Sequence, residues 1–270
     1  MKSSSKHFGF TLIEVLVSVS IIGVLSAITV AAVGTVRESA YRSSDIAAAR
    51  QLAAAYLLYP QDHNGKLLPS VPSDDDRQMT TVMDHRGNPI YQGAISDRYV
   101  FRLLPYSGGI DLFFPGRSQE HLAEIRDNDL YKISMYPSFG LNSSFVGGDY
   151  STDGRHSVGK NPHYAITMMS QCIQPSDQIV FVSALSTPAQ AETEAPYAGK
   201  FYVYGPNEWS GSYKEDTPKN MGNIHLRYAN QAVVAHLDGS VALLNSEELK
   251  DMRRWSNQAR DRNDPNFKPR

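Results

Sequence analysis

Residues 6–14 read Lys6-His7-Phe8-Gly9-Phe10-Thr11-Leu12-Ile13-Glu14, and an apolar run follows directly behind them. No charged residue occurs from position 15 to position 36, where Val, Ile, Leu and Ala predominate. About 20 such residues are enough for a helix to cross the hydrocarbon core of a bilayer. The sequence therefore predicts a membrane-spanning helix near the N-terminus.

Two features of the charged residues at the start of this run bear on its function. Lys2 and Lys6 precede it, which favours a cytoplasmic N-terminus. Glu14 lies inside the apolar stretch, where a carboxylate at membrane depth costs about 2.5 kcal/mol or more. A residue kept at such a cost is a candidate functional site.

The segment Gly9-Phe10-Thr11-Leu12-Ile13-Glu14-Val15-Leu16-Val17, followed by Ile21-Ile22-Gly23-Val24-Leu25, resembles the N-terminus of type IV pilins and type II secretion pseudopilins. The resemblance implies that a prepilin peptidase removes a leader after Gly9 and that Phe10 becomes an N-methylated terminus. It also implies that Glu14 guides assembly into a helical filament. In that filament a buried Glu14 would meet the Phe10 amine of a neighbouring subunit, because a charge in an apolar medium is tolerable only when it is paired.

The same resemblance implies partners and a location. The partners would be prepilin peptidase, other pilin or pseudopilin subunits and the secretion or pilus assembly machinery. The chain would lie in the bacterial inner membrane as a single-pass protein, with its N-terminus cytoplasmic and its C-terminal domain periplasmic, and in a filament after assembly.

Two other interpretations of the N-terminus stay open. A basic leader, an apolar core and the small residues up to Ala32 could form a secretory signal peptide. Such a core would not normally carry Glu14, and this apolar run is longer than signal peptides have. The second alternative is a plain membrane anchor in which Glu14 reaches water.

The helical pattern continues beyond the apolar run. Apolar residues recur at three-, four- and seven-residue spacings, which is typical of an amphipathic helix. They are Val33, Val36, Ala40, Ala47, Ala54 and Leu58. Pro60 disfavours helix at Tyr59 and predicts its end there. We therefore expect a leader (1–9), a long helix (10–59) and a globular domain (60–270).

The globular region predicts an α+β fold with an antiparallel β-sheet. Its clearest element is a hairpin over 232–244, in which Asp238-Gly239 joins two apolar strands because both residues tolerate positive φ. Alternating residues predict strands over 99–104 and 178–183, and a short helix is predicted between 117 and 130. Ser246 is predicted to cap a C-terminal helix.

The composition of the chain excludes some kinds of site and partner. The chain has 270 residues, a net charge of −2 and one cysteine, Cys172. A single cysteine excludes an intrachain disulfide and metal sites built on several cysteines. The near-neutral charge makes nucleic acid an unlikely partner.

One loop could bind calcium. In Gly147-Gly148-Asp149-Tyr150-Ser151-Thr152-Asp153-Gly154, the oxygen-bearing Asp149, Ser151 and Asp153 alternate before a glycine, as in loops that wrap Ca²⁺. The late acidic ligand of an EF-hand is missing, because Lys160 stands in its place. A surface turn stabilised by Asp and Gly is the alternative, so no cofactor is predicted apart from this possible calcium.

A second resemblance lies near the C-terminus. Some pilin-like proteins carry Arg-His, nine further residues and Asp-Gly. This chain has Arg227-Tyr228, nine residues and Asp238-Gly239, so that Tyr228 stands where the family has histidine. The segment is thus a degenerate form of that motif, and we expect a structural hairpin there.

No catalytic motif stands out: a Gly-x-Ser-x-Gly elbow, a His-Glu-x-x-His pair and a phosphate-binding glycine loop are all missing. The sequence therefore predicts a structural pilin or pseudopilin subunit and no enzyme. Two alternatives stay open. One is a minor or tip subunit that binds DNA or a secreted substrate, and the other is a membrane-tethered enzyme with a pilin-like anchor.

Overall fold

The computed structural model describes residues 11–91, 93–150, 164–186, 200–214, 217–261, 264 and 267. It divides the chain into two compact units, Met1–Arg42 and Ser43–Arg270. The boundary falls within the first helix, α1, which runs over Leu12–Asp62 without interruption.

The end of α1 differs from the prediction. The helix continues through Pro60 and stops at Asp62, three residues beyond Tyr59. A proline this close to the end removes only one helical hydrogen bond. The last turn is closed by the Gly65 amide, which donates to the Pro60 carbonyl at 2.7 Å. Tyr59 is buried and stacks on His63 with ring centroids 3.6 Å apart, which holds this turn in place.

Short elements follow α1. In chain order they are helix α2 (Asp74–Met79), strands β1 (Val82–Met83) and β2 (Pro89–Ile90), and helices α3 (Ala94–Asp97), α4 (Tyr99–Ser107), α5 (Ser118–Ile125) and α6 (Leu130–Met135). The helix α5 confirms the predicted helix between 117 and 130. The predicted strand over 99–104 is wrong, because these residues form α4. This helix ends in a left-handed Gly108, with φ of 76°, which is a common helix C-terminus.

Five strands form the main sheet. They are β3 (Phe139–Asn142), β4 (Ile179–Ser183), β5 (Tyr202–Val203), β6 (Gln231–His236) and β7 (Val241–Asn245), in the spatial order β5-β3-β4-β6-β7. All neighbours are antiparallel except β5, which pairs with β3 in parallel. The α+β prediction, the 178–183 strand and the β6–β7 hairpin are confirmed.

The sheet is buried on both faces, as the central strand β4 shows. Phe181 contacts Tyr56 of α1 and Tyr99 of α4, with ring centroids 5.5 and 5.3 Å apart. Its neighbour Val182 belongs to a core cluster with Trp255 from the C-terminal segment. Because successive side chains of a strand point to opposite faces, helices cover one face and the C-terminal segment covers the other.

The C-terminal segment begins with helix α7 (Ser246–Leu249). Its N-cap is Asn245 and not the predicted Ser246, since the Asn245 side chain accepts hydrogen bonds from the amides of Glu247 and Glu248. The helix is only four residues long, and a 3₁₀ turn over Met252–Arg254 brings Trp255 into the core.

In the globular unit, α1 is apolar on two faces. The first face is buried against the sheet and consists of Ala48, Ala49, Leu52, Ala53, Ala55, Tyr56 and Tyr59. The second face is exposed and includes Ala47, Ala54 and Leu58, the last 44% exposed. These three exposed residues belong to the apolar stripe seen in the sequence, so the domain packs on the neighbouring face and leaves the stripe uncovered.

A buried ion pair ties α1 to the sheet. Asp45 is 1% exposed, and its Oδ2 accepts hydrogen bonds from Arg227 Nη1 at 2.8 Å and from the Tyr228 hydroxyl at 2.7 Å. Arg227 also donates to the carbonyls of Ser138, just before β3, and Ala184, just after β4. One guanidinium thus joins the helix to the ends of two central strands.

We expect Asp45→Ala to destabilise the globular unit by about 3–5 kcal/mol, because it leaves the Arg227 charge buried without its partner. Tyr228→Phe should cost about 1.5–3 kcal/mol, the contribution of one hydrogen bond to a charged group. The measurement is thermal unfolding of the detergent-solubilised chain, followed by the fluorescence of Trp209 and Trp255. Glu124→Ala, which removes an exposed acid from α5, is the matched control and should leave the midpoint unchanged. A midpoint for Asp45→Ala equal to that of the control would contradict this account.

Candidate functional site

The first turn of α1 holds the candidate assembly carboxylate in a capping box. The Thr11 amide and hydroxyl each donate to Glu14 Oε2 at 2.8 Å, and the Glu14 amide donates back to Thr11 Oγ1 at 3.3 Å. Reciprocal bonds of this kind satisfy amide groups that a helix start leaves without partners. Glu14 is therefore held in a defined position at the helix start. The predicted cleavage and methylation residues, Gly9 and Phe10, lie outside the described residues.

Sequence reasoning missed the role of Thr11. The signal was present, because Thr11-Leu12-Ile13-Glu14 has the Thr-x-x-Glu spacing of a capping box in front of an apolar run.

The first half of α1 presents an apolar surface with nothing packed on it in the described chain. Its large exposed side chains are Leu12, Ile13, Val15, Leu16, Val17, Val19, Ile21, Ile22, Val24, Leu25, Ile28, Val30, Val33 and Val36. By length and composition α1 is able to cross a membrane, and its most apolar 18-residue stretch has no buried residue. An apolar surface of this extent marks a site of contact with lipid or protein.

Comparison with known families matches this same segment. A family described as the prokaryotic N-terminal methylation motif matches residues 4–30. The chain is a pilin-like protein. It carries the methylation motif of the type IV pilin and pseudopilin family, and this motif implies processing by a prepilin peptidase. Searches of curated proteins and of solved structures returned no match.

In this pilin-like chain, the two ends of strand β6 lie against α1. The Tyr228 hydroxyl binds Asp45, and a Cβ added at Gly239 would lie 3.7 Å from Leu57 Cδ1. From Asp45 to Leu57 a helix rises about 18 Å, and the six residues of β6 span about 20 Å. The spacing between Tyr228 and Asp238-Gly239 therefore lets both ends of β6 reach α1.

Tyr228 and the Asp238-Gly239 turn lie at opposite ends of β6, so they do not share a site. The turn itself is conventional: Gly239 has φ of 88°, and the Ser240 amide donates to Asp238 Oδ1 at 2.8 Å. The family match does not reach this segment, and the second resemblance stays a prediction.

The proposed calcium loop is described only in its first part. Asp149 is 8% exposed and lies beside Val71, whose carbonyl accepts a hydrogen bond from the Tyr150 amide at 3.2 Å. Ser151 and Asp153 lie outside the described residues. Within the described ranges no three His, Cys, Asp or Glu side chains are grouped so as to hold a metal ion. Calcium binding by Asp149, Ser151 and Asp153 stays a prediction.

A polar pocket lies between α2, the β1–β2 hairpin and α4. Its lining includes Asp76, Arg77, Asp97 and Arg102. Arg77 Nε donates to Asp97 Oδ1 at 2.9 Å, and Arg102 Nη2 donates to the Tyr59 hydroxyl at 3.2 Å. These polar groups hold neighbouring elements together.

Two histidines, the buried His121 and the half-buried His225, are neutral at physiological pH. Burial lowers the pKa of His121 to about 4 and that of His225 to about 3. His121 is 2% exposed and packs against Phe114, with ring centroids 6.0 Å apart. This is the environment of a core residue.

We expect Thr11→Val to loosen the start of α1, because it removes both the hydroxyl that donates to Glu14 and the oxygen that caps the Glu14 amide. An N-cap contributes about 1 kcal/mol, so hydrogen exchange of the Glu14 amide in detergent micelles should be about fivefold faster. Thr11→Ser should keep the wild-type rate. Thr29→Val is the control, since the Thr29 hydroxyl bonds only the Leu25 carbonyl within the helix. Equal exchange rates of the Glu14 amide in Thr11→Val and Thr11→Ser would show that the Thr11–Glu14 capping box does not stabilise the start of α1.

Proposed function

We propose that the chain is a structural subunit that is cleaved between Gly9 and Phe10, methylated at Phe10 and assembled into a type II secretion pseudopilus or a type IV pilus-like filament. The observation that carries this proposal is the Thr11–Glu14 capping box at the start of an uncovered apolar helix, inside the matched methylation motif.

The apolar half of α1 needs two successive environments in this proposal. Before assembly, lipid covers it, and Lys2 and Lys6 keep the N-terminus in the cytoplasm while the globular domain faces the periplasm. After extraction from the membrane, equivalent helices of other subunits take the place of lipid. In the globular half of α1, the exposed Ala47, Ala54 and Leu58 offer neighbouring subunits a second apolar surface.

Glu14 then determines the register in which a neighbouring subunit can dock. No other charged residue lies between Thr11 and Val36, so a neighbouring subunit can neutralise it only with the amine created at Phe10 by leader removal. An unpaired carboxylate in the filament interior would cost several kcal/mol. Subunits are therefore expected to dock in the one axial register that brings this amine to Glu14.

The polar groups of the globular domain support a structural role over a catalytic one. In the polar pocket Arg77 is paired with Asp97, and Arg102 is bonded to Tyr59, so both cations serve to join elements. His121 and His225 are kept neutral by burial, His121 within a packed core.

The first test is the intact mass of the membrane-extracted chain, expressed with and without a prepilin peptidase. With the peptidase, we expect a chain that begins at Phe10 and is heavier by one methyl group; without it, residues 1–9 should remain. A chain cut near Ala32, or one never shortened, would overturn the proposal.

A second test separates processing from assembly. We expect Glu14→Ala to be cleaved normally but to enter sheared filaments at least about tenfold less than wild type, because the neighbouring amine loses its buried partner. Ser20→Ala alters the same helix without touching a charge and should assemble normally, since the Ser20 hydroxyl bonds only the Leu16 carbonyl. Normal assembly of the Glu14→Ala variant into filaments would contradict the proposed role of this carboxylate.

A further inference from the structure

The main sheet has one covered edge and one open edge in the described part of the chain. The β5 side is covered, because the Tyr204 amide donates to the Gly222 carbonyl at 3.0 Å and Asn223 Nδ2 donates to the Tyr202 carbonyl at 3.4 Å. On the other side the last strand is β7, whose only neighbour in the sheet is β6. A strand at such an edge can accept a further strand.

The pairing of β6 with β7 shows which backbone groups of β7 point away from the sheet. In an antiparallel pair, facing residues alternate between exchanging two hydrogen bonds and exchanging none. The Val233 amide of β6 donates to Ser183 Oγ on β4 at 3.1 Å, so Val233 and Leu243, which face each other, exchange none. The N–H and C=O groups of Leu243, and those of Val241 two residues earlier, therefore point outward. We call these outward groups the β7 edge.

The β7 edge is neither occupied nor protected by the described residues. None of the hydrogen bonds found among them joins the outward groups of Val241 or Leu243 to another segment. Edge strands usually carry a lysine, a proline or a bulge that discourages further pairing. The strand Val241–Asn245 contains no charged residue and no proline, and it pairs with β6 in an unbroken register. Such an edge is suited to the addition of a strand.

A second open edge belongs to the β1–β2 hairpin. The Asp84 amide donates to the Asn88 carbonyl at 2.8 Å, so by the same alternation Met83 and Pro89 exchange no hydrogen bond. The N–H and C=O groups of Met83, and those of Thr81 two residues earlier, therefore point away from β2. No hydrogen bond among the described residues uses them. We call these groups the β1 edge.

The outer face of this hairpin is apolar and exposed. Met83 is 44% exposed and Tyr91 is 86% exposed, whereas Val82 is buried on the inner face. Because side chains alternate along a strand, Met83, Pro89 and Tyr91 share the outer face. A strand added at the β1 edge would place its own side chains beside Met83 and cover part of this apolar surface.

We propose that the β7 edge of one subunit pairs antiparallel with the β1 edge of the next subunit in the filament. In this pairing Val241 faces Met83 of the next subunit. Leu243 then faces Thr81, and each of the two facing pairs exchanges two hydrogen bonds. The inference rests on the proposed assembly into a filament. Filaments grow through heterologous contacts, which two different surfaces of each subunit make, and the two open edges are such surfaces.

The charges near the two edges favour this pairing. Asp238 is exposed three residues before Val241, and Arg86 is exposed three residues after Met83. In the antiparallel register these opposite charges come to the same end of the strand pair, where they attract each other. Antiparallel pairing of β7 with the β7 of another copy would instead bring Asp238 to the end that carries the acidic Glu247.

Engineered cysteines test the contact in assembled filaments of the full chain. Thr81→Cys and Leu243→Cys are combined with Cys172→Ser, which removes the native thiol. Facing residues that exchange hydrogen bonds have Cα atoms about 5.5 Å apart, a distance that a disulfide bridges. Oxidised filaments of this variant should give a ladder of covalent dimers, trimers and larger species on a denaturing gel. Each single cysteine variant should give monomers.

Thr81→Cys combined with Glu124→Cys is the matched control, because Glu124 is exposed on α5 and belongs to neither edge. An equal ladder in this control, or filaments of the edge variant without a ladder, would overturn the edge pairing and leave the filament proposal standing. Dimers from Leu243→Cys alone would show that β7 pairs with β7 and would also overturn it. Failure of the wild-type chain to form filaments would overturn both proposals.

Proline substitution tests the hydrogen bonds of the two edges. Leu243→Pro removes an N–H that points away from β6, so the ladder between β6 and β7 stays intact. Leu243→Ala is the matched control, since it shortens the same side chain and keeps the N–H. Leu243→Pro should enter sheared filaments about fivefold less than Leu243→Ala, the effect of one lost hydrogen bond. Met83→Pro and Met83→Ala give the same comparison at the β1 edge, and equal incorporation within both pairs would refute the contact.

Discussion

The globular unit depends on one buried carboxylate. Asp45 on α1 receives both the Arg227 guanidinium and the Tyr228 hydroxyl, and Arg227 in turn binds the carbonyls beside β3 and β4. Because a buried charge is tolerable only with its partner, this arrangement favours the orientation of the globular half of α1 that keeps Asp45 against Arg227. The aromatic contacts of Tyr56 with Phe181 then fill the interface that the ion pair has aligned.

The two halves of α1 differ in whether their apolar side chains are covered. Its second half meets the sheet through small and aromatic side chains, while its first half leaves apolar side chains uncovered. The only charge in the apolar segment is held at the helix start by Thr11. A single helix can thus anchor a domain firmly and still keep a surface for lipid or for other subunits.

The sequence predicted correctly those elements whose conformation depends on neighbouring residues alone. The Asp238-Gly239 turn formed the expected hairpin, because its positive φ is a property of the turn residues themselves. Residues 99–104 were predicted as a strand and form a helix, since burial on several sides removes the alternation that distinguishes the two. Pro60 did not end α1, because the packing of Tyr59 outweighs the loss of one hydrogen bond.

The sequence alone determined the pilin-like N-terminus, because the matched motif, the apolar run and Glu14 are contiguous and their chemistry does not depend on distant residues. It also determined the α+β class, through the 3.6- and two-residue periods of its helices and strands. Only the tertiary structure decided that Arg227 and Tyr228 both pair with Asp45. These groups are separated by up to 183 residues, and no local periodicity records which side chains a folded sheet and helix will bring into contact.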